Sequence, residues 1–139
     1  MFSKSNLLAT LAAFLTMFLL GYSIWEHLLA DFFAQHTLKS FLNEDMNMAL
    51  IGVSNVIAAF ALSSVYGKWA RGQHSAKEGF QYGVWIGIFM GFGNGLLNHA
   101  VMGLMDTTGA LVNGVVEVLF YGIIGTVIAL VYQKTATKE

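Results

Sequence analysis

Glycine recurs at every fourth position from Gly79, at Gly83, Gly87, Gly91 and Gly95, and His99 and Gly103 continue the register. The residues between are mostly large and apolar, among them Val84, Trp85, Ile86, Phe89, Phe92 and Leu96. In water, five glycines in one helix cost roughly 1 kcal/mol each relative to alanine. In a bilayer the backbone must close its own hydrogen bonds, so the helix persists. The glycines then form a groove that another helix can approach closely. The stretch reads as the packing spine of a small membrane bundle with a histidine set into it. An i+4 line drifts about 40° per step on a regular helix, so four steps wrap about 160° around it. One neighbour cannot use the whole line. It suits right-handed crossings against two partners, either both within the bundle or one in a second protomer.

The rest of the chain agrees with a membrane setting. Of 139 residues, 56% are hydrophobic and 11% are charged, against roughly 25% charged in a soluble domain. The absence of proline removes proline kinks. The absence of cysteine removes disulfides, thiolate metal sites and cysteine nucleophiles. A net charge of −1 and the lack of a basic arm exclude a nucleic-acid partner.

Four apolar segments are long enough to span a bilayer, which needs about 20 residues. They cover residues 6–31, 47–69, 79–104 and 110–132, and together they form one membrane domain over 1–139. The fold class is all-α: a four-transmembrane-helix, up-down bundle. The first segment is too long for a signal-peptide core and no small-residue cleavage site follows it, so it is expected to be a retained helix. Residues 31–46 read as an interfacial segment or an extension of the first helix. Tyr66 and Trp69 fall where aromatic belts lie, and the tryptophans are expected to face lipid or its boundary. Thr107 or Thr108 is the expected cap of the fourth helix. His36 and His74 are expected to be solvated loop residues.

The cations set the orientation. One side carries Lys4, Lys68, Arg71, Lys77, Lys134 and Lys138; the other carries Lys39 alone, with Asp31, Glu44, Asp45 and Asp106. The positive-inside rule places both termini in the cytoplasm.

With that folding, the polar residues of the spans fall at one depth. Glu26 and His27 close the first span, Asn55 sits two turns into the second, Asn94, Asn98 and His99 lie in the third, and Asn113 and Glu117 open the fourth. All lie in the outer half, roughly 5 to 12 Å below the outer edge at 1.5 Å per residue. The inner half reads as almost purely apolar and glycine-rich. Ionisable groups in a span cost about 2.5 to 3.5 kcal/mol each, so they face the bundle or water. Asn113, Glu117 and Tyr121 share one face of the fourth helix, and Tyr22 and Glu26 share one face of the first. Glu26 is turned inward and His27 is left at the rim.

Three readings compete for this layer. One is a structural set of hydrogen bonds that fixes helix register, with Glu117 protonated or paired to His99. The second is a ligand pocket between the first, third and fourth spans, built from Glu26, Asn94, Asn98, His99, Asn113 and Glu117. Its metal version uses His27, His99, Glu26 and Glu117 as nitrogen and oxygen ligands to zinc, iron or copper, or the two histidines to haem. The third is a proton or ion path, which the apolar inner half disfavours. No nucleophile–base pair or phosphate loop is visible, since the glycines around Phe92 lack a following Lys-Ser/Thr.

Gly21-Tyr22, the run Leu28-Leu29-Ala30-Asp31-Phe32-Phe33, and the run Leu104-Met105-Asp106-Thr107-Thr108-Gly109 after a glycine-rich third span carry a resemblance. The chain resembles a group of small four-helix bacterial membrane proteins with a domain of unknown function. That resemblance implies the four-helix architecture and a plasma-membrane location, and it carries no activity, cofactor or site. A carboxylate in the first span is similar to small multidrug exporters, and glycine-rich spans with phenylalanines are similar to small fluoride channels. Both likenesses imply antiparallel dimers with little charge bias, and the strong bias here points away from both. The expectation is a structural or accessory membrane protein whose outer pocket takes a lipid, a small ligand or a partner helix. Its partners are the bilayer and either a second copy or another membrane protein, and its cofactor is not specified.

Overall fold

A computed structural model describes residues 2–40 and 46–136. The described residues are helical almost throughout. Helix α1 (Lys4–Ser23) runs on as a π-helical segment, Ile24–Leu28. A short α2 (Ala30–His36) follows, then α3 (Met48–Trp69). Helix α4 (Ala76–Gly87) leads through a second π-helical segment, Ile88–Asn94, into α5 (Gly95–Met102), and α6 (Thr107–Thr135) ends the chain. Four continuous units are long and apolar enough to cross a membrane: Lys4–Leu28, Met48–Trp69, Ala76–Met102 and Thr107–Thr135. Residues 31–40 do not extend the first span: Leu29 leaves helical geometry at φ −116°, and α2 follows as a separate element. Residues 41–45 of that segment lie outside the described residues.

Each span starts on a side-chain cap, as an orphaned first turn requires. Ser3 Oγ accepts from the Asn6 amide, Asn47 Oδ1 from Leu50, Ser75 Oγ from Glu78, and Asp106 Oδ1 from Gly109. The last corrects the expectation of a threonine cap: the carboxylate one residue earlier does the work.

The glycine line also departs from its expectation. A methyl group at Gly79 would strike the Gly125 carbonyl, one at Gly83 the Tyr121 carbonyl, one at Gly87 the Val118 Cα, and one at Gly91 the Gly114 carbonyl and Glu117 Cβ. Four glycines therefore face one partner, α6, in antiparallel order. The regular drift of an i+4 line is undone between Gly87 and Gly91, where the helix becomes π. A π turn is wider, so each residue advances the helix by less than an α residue does. That turns Gly91 back toward α6. Gly95, expected in the same groove, lies outside it: a methyl there would meet only the Met90 carbonyl of its own helix, at 3.5 Å. The partner helix contributes its own gaps. Gly114 takes the Phe92 ring, Gly122 takes the Phe80 ring, and Gly125 takes the backbone of Gly79 and Gly83.

The first span packs on α6 and on α3 through small residues. Ala9, Ala13 and Ala59 are fully buried, beside Ile124, Ile128 and Ala129 of α6. Helix α3 buries only Ala59, Ser63 and Tyr66. It leans on α1 and diverges from α6 at its N-terminal end. Large apolar residues cover the outside, as in Leu19, Ile57, Phe89 and Val101, each more than 60% exposed. This is the surface a hydrocarbon solvent calls for.

Candidate functional site

The divergence of α3 opens a cleft of 560 Å³ between α1, α3 and α6. The first span supplies Phe18, Gly21, Tyr22, Trp25 and Glu26; α3 and the residue before its cap supply Met46, Met48 and Asn55; α6 supplies Glu117, Phe120 and Tyr121. The π segment that holds Trp25 and Glu26 begins where the Ser23 hydroxyl donates to the Leu19 carbonyl at 2.7 Å. Such back-bonding competes with the regular ladder and bends helices.

Trp25 fixes one wall. Its Nε1 donates to Asn113 Oδ1 at 3.1 Å, and its ring meets Phe120 edge-on at 5.1 Å. Trp25 is thus a bridge from α1 to α6 rather than a lipid-facing ring. Glu117 is set by the glycine groove, since its Cβ lies over Gly91 where any side chain would collide. Neither Glu26 nor Glu117 has a hydrogen bond or an ion pair among the described residues. The single ion pair there is His36–Asp106.

The expected pocket lay between the first, third and fourth spans. The cleft lies instead between the first, second and fourth, because α4 and α6 are in backbone contact and leave no space. Glu26, Glu117 and Asn55 share it, and Asn113 holds its wall. Asn94, Asn98 and His99 stand apart. Asn94 is exposed at the end of its π segment and Asn98 is half-exposed. His99 Nε2 lies 3.4 Å from Thr107 Oγ1, so Glu117 is not its partner. Glu26, expected to turn inward, is exposed like its neighbour His27, which packs edge-on against Tyr22 at 4.8 Å, at the rim as expected. No three His, Asp or Glu side chains come together among the described residues. The four candidate ligands therefore do not form a metal set.

Two clusters went unnoticed in the sequence. At the end of the bundle that carries α2, His36 Nδ1 lies 2.7 Å from Asp106 Oδ2, while the other carboxylate oxygen caps α6. The Asp106 amide returns a bond to the His36 carbonyl at 2.9 Å, and Leu38 bonds to the Leu104 carbonyl at 2.7 Å. His36 is a staple between two connections, not a solvated residue. The Gly109 amide first, and His36 second, hold the Asp106 carboxyl below the usual carboxylate range.

At the opposite end, Tyr66 is fully buried rather than interfacial. Its ring centroid lies 5.5 Å from those of Tyr82 and Tyr132, and His74 stacks on Tyr132 at 5.0 Å. Tyr132 and Tyr82 donate to the carbonyls of Ser63 and Leu62. Burial lowers the His74 pKa below its ordinary value. This end of the bundle is polar and aromatic, not the apolar, glycine-rich half expected. Counting depth along the spans places Tyr66, Tyr82 and Tyr132 together, the same signal that found the outer layer.

The chain matches no protein-family model, no curated protein and no solved structure. The resemblance to small four-helix bacterial membrane proteins rests on the motifs quoted for it.

Proposed function

We propose that this chain is a small, non-enzymatic accessory protein of a bacterial inner membrane that retains an amphipathic small molecule in the cleft between its first, second and fourth spans. The cleft is the observation that carries the reading. It is 560 Å³, inside the range of roughly 300 to 1,000 Å³ typical of ligand pockets. Its wall is aromatic and methionine-rich with a few polar groups, the usual make-up of a small-molecule site. Membrane-embedded carboxylates without a partner mark function by default.

Other classes have less support. The one His–carboxylate pair among the described residues is occupied in capping α6, and no hydroxyl is hydrogen-bonded to His36. Between the two polar ends the bundle is closed by Ala13, Ala59 and Ile124, which disfavours a path across it. The proposed topology, with both termini cytoplasmic, rests on the six-to-one distribution of cations between the two sides.

Gly21 offers the test. A Cβ there meets Phe120 at 3.8 Å and Trp25 at 4.0 Å, ordinary contacts, and Gly21 lines the cleft, so a larger side chain at this position is expected to occupy it. Native mass spectrometry after release from mild detergent should show an amphiphile retained by the wild-type protein and absent from Gly21→Phe. Equal retention by both, or retention by neither, overturns the reading.

A further inference from the structure

The charge of the cleft narrows its ligand. Among the described residues its wall holds two carboxylates, Glu26 and Glu117, and one amide, Asn55, with no Lys, Arg or His. Neither carboxylate is paired within the described chain. Around them stand aromatic rings from two helices, including Phe18, Trp25, Phe120 and Tyr121. Aromatic faces and carboxylates attract the same kind of partner, a cation with an apolar body. We infer that the cleft between α1, α3 and α6 binds an organic cation carrying an aromatic or alkyl body. This rests on the reading of the cleft as a ligand site.

Other occupants match the wall less well. A neutral lipid tail would fill the apolar part and leave two carboxylates unpaired. A phospholipid headgroup, whether anionic or zwitterionic, would bring its phosphate against those carboxylates with no protein cation to receive it. An inorganic ion would need several converging oxygen or nitrogen ligands, and no three acidic or histidine side chains gather among the described residues. An organic cation uses both parts of the wall at once. Its charge would meet a carboxylate of the wall, and its body would meet the rings, Met17 and Met48.

Two ions of one shape and opposite charge test this directly. Tetraphenylphosphonium and tetraphenylborate are each measured by equilibrium dialysis against the detergent-solubilised full chain, with Gly21→Phe in the same detergent as the background for partitioning. The expected result is saturable binding of one phosphonium per wild-type chain above the Gly21→Phe background and none for the borate. Glu26→Gln and Glu117→Gln are each expected to weaken phosphonium binding by about tenfold or more. Binding of both ions above background would leave a ligand cleft in place and overturn its selection of cations. Binding of neither would overturn both readings. The comparison of the two ions on the wild-type protein needs no variant to fold. For the carboxylate variants, an unchanged phosphonium affinity in the double Glu26→Gln, Glu117→Gln chain also overturns the inference.

Discussion

Gly83 faces the Tyr121 carbonyl so closely that an added methyl would overlap its oxygen, and no side chain fits between α4 and α6 at that point. The same holds at Gly79 and Gly87, and the contact is backbone to backbone at each. Backbone cannot rotate aside as a flexible side chain can. Gly83→Ala is therefore expected to push the two helices apart and destabilise the bundle by about 1 to 3 kcal/mol or more. Gly95→Ala is the control. Its methyl finds only an ordinary contact, and alanine is the better helix former by roughly 1 kcal/mol. Thermal unfolding in detergent, followed by circular dichroism, should rank Gly83→Ala below wild type and Gly95→Ala at or above it.

The contrast between Gly83 and Gly95 shows what the sequence makes legible. The spans follow from hydrophobic length, and the groove from glycine spacing, because both are one-dimensional. Depth is one-dimensional too, so Glu26, Asn55, Asn113 and Glu117 could be placed at one level by counting residues. Rotation about the helix axis could not be counted. The π segments at Ile24–Leu28 and Ile88–Asn94 reset which way the following residues point. Hydrophobic periodicity does not mark where they begin. Spacing alone therefore groups Asn98 and His99 with Glu117 and gives the line from Gly79 two partners, where the structure separates the first set and gives the line one. His36, His74 and Tyr66 were misjudged for another reason. Residues at span ends look solvated or interfacial in sequence, yet here the connections fold back onto the helix ends.

Asp106 is doubly engaged, and its carboxyl is held low. A group whose folded pKa lies below its unfolded value adds stability that is complete above the unfolded pKa, near 4 for aspartate. That stability is lost as the pH falls through the folded value. The staple should therefore hold through neutral and mildly acidic pH and loosen only in strong acid. Hydrogen exchange at the Gly109 amide is the local readout. Its protection should fall on acidification, and Asp106→Ala should show the lowered protection already at pH 7.

His74 follows the same sign at a higher pH. Burial lowers its pKa, so the folded state favours the neutral ring. Its contribution is complete above about pH 6.5, the ordinary histidine value, and declines as the pH falls toward the folded pKa. The midpoint of thermal unfolding should drop between pH 7 and pH 5. In His74→Phe, which keeps a ring against Tyr132 and cannot protonate, that part of the drop should vanish. An identical pH profile for both chains would remove His74 from the account.

Trp25 and Asn113 bind the first span to the fourth by one hydrogen bond of 3.1 Å. Trp25→Phe keeps a ring against Phe120 and removes the donor. Net hydrogen bonds contribute about 0.5 to 1.5 kcal/mol, so a loss of that size is expected, and Asn113→Ala should add little on top of it. Additive losses in the double variant would mean that the two side chains do not share their energy.

The charge distribution makes the topology testable without removing anything, because the chain has no cysteine. Gln73 lies in the connection beside Arg71, and Leu38 lies in the connection at the other end of the bundle. Both are exposed. If the six-to-one cation bias sets the insertion, Gln73→Cys should stay unlabelled by a membrane-impermeant maleimide in intact inner-membrane spheroplasts and react once they are lysed. Leu38→Cys should react in both. Labelling of both positions in intact spheroplasts would mean two insertion directions. The cleft would then open on either side of the membrane, and the shared cytoplasmic location of the termini would no longer stand.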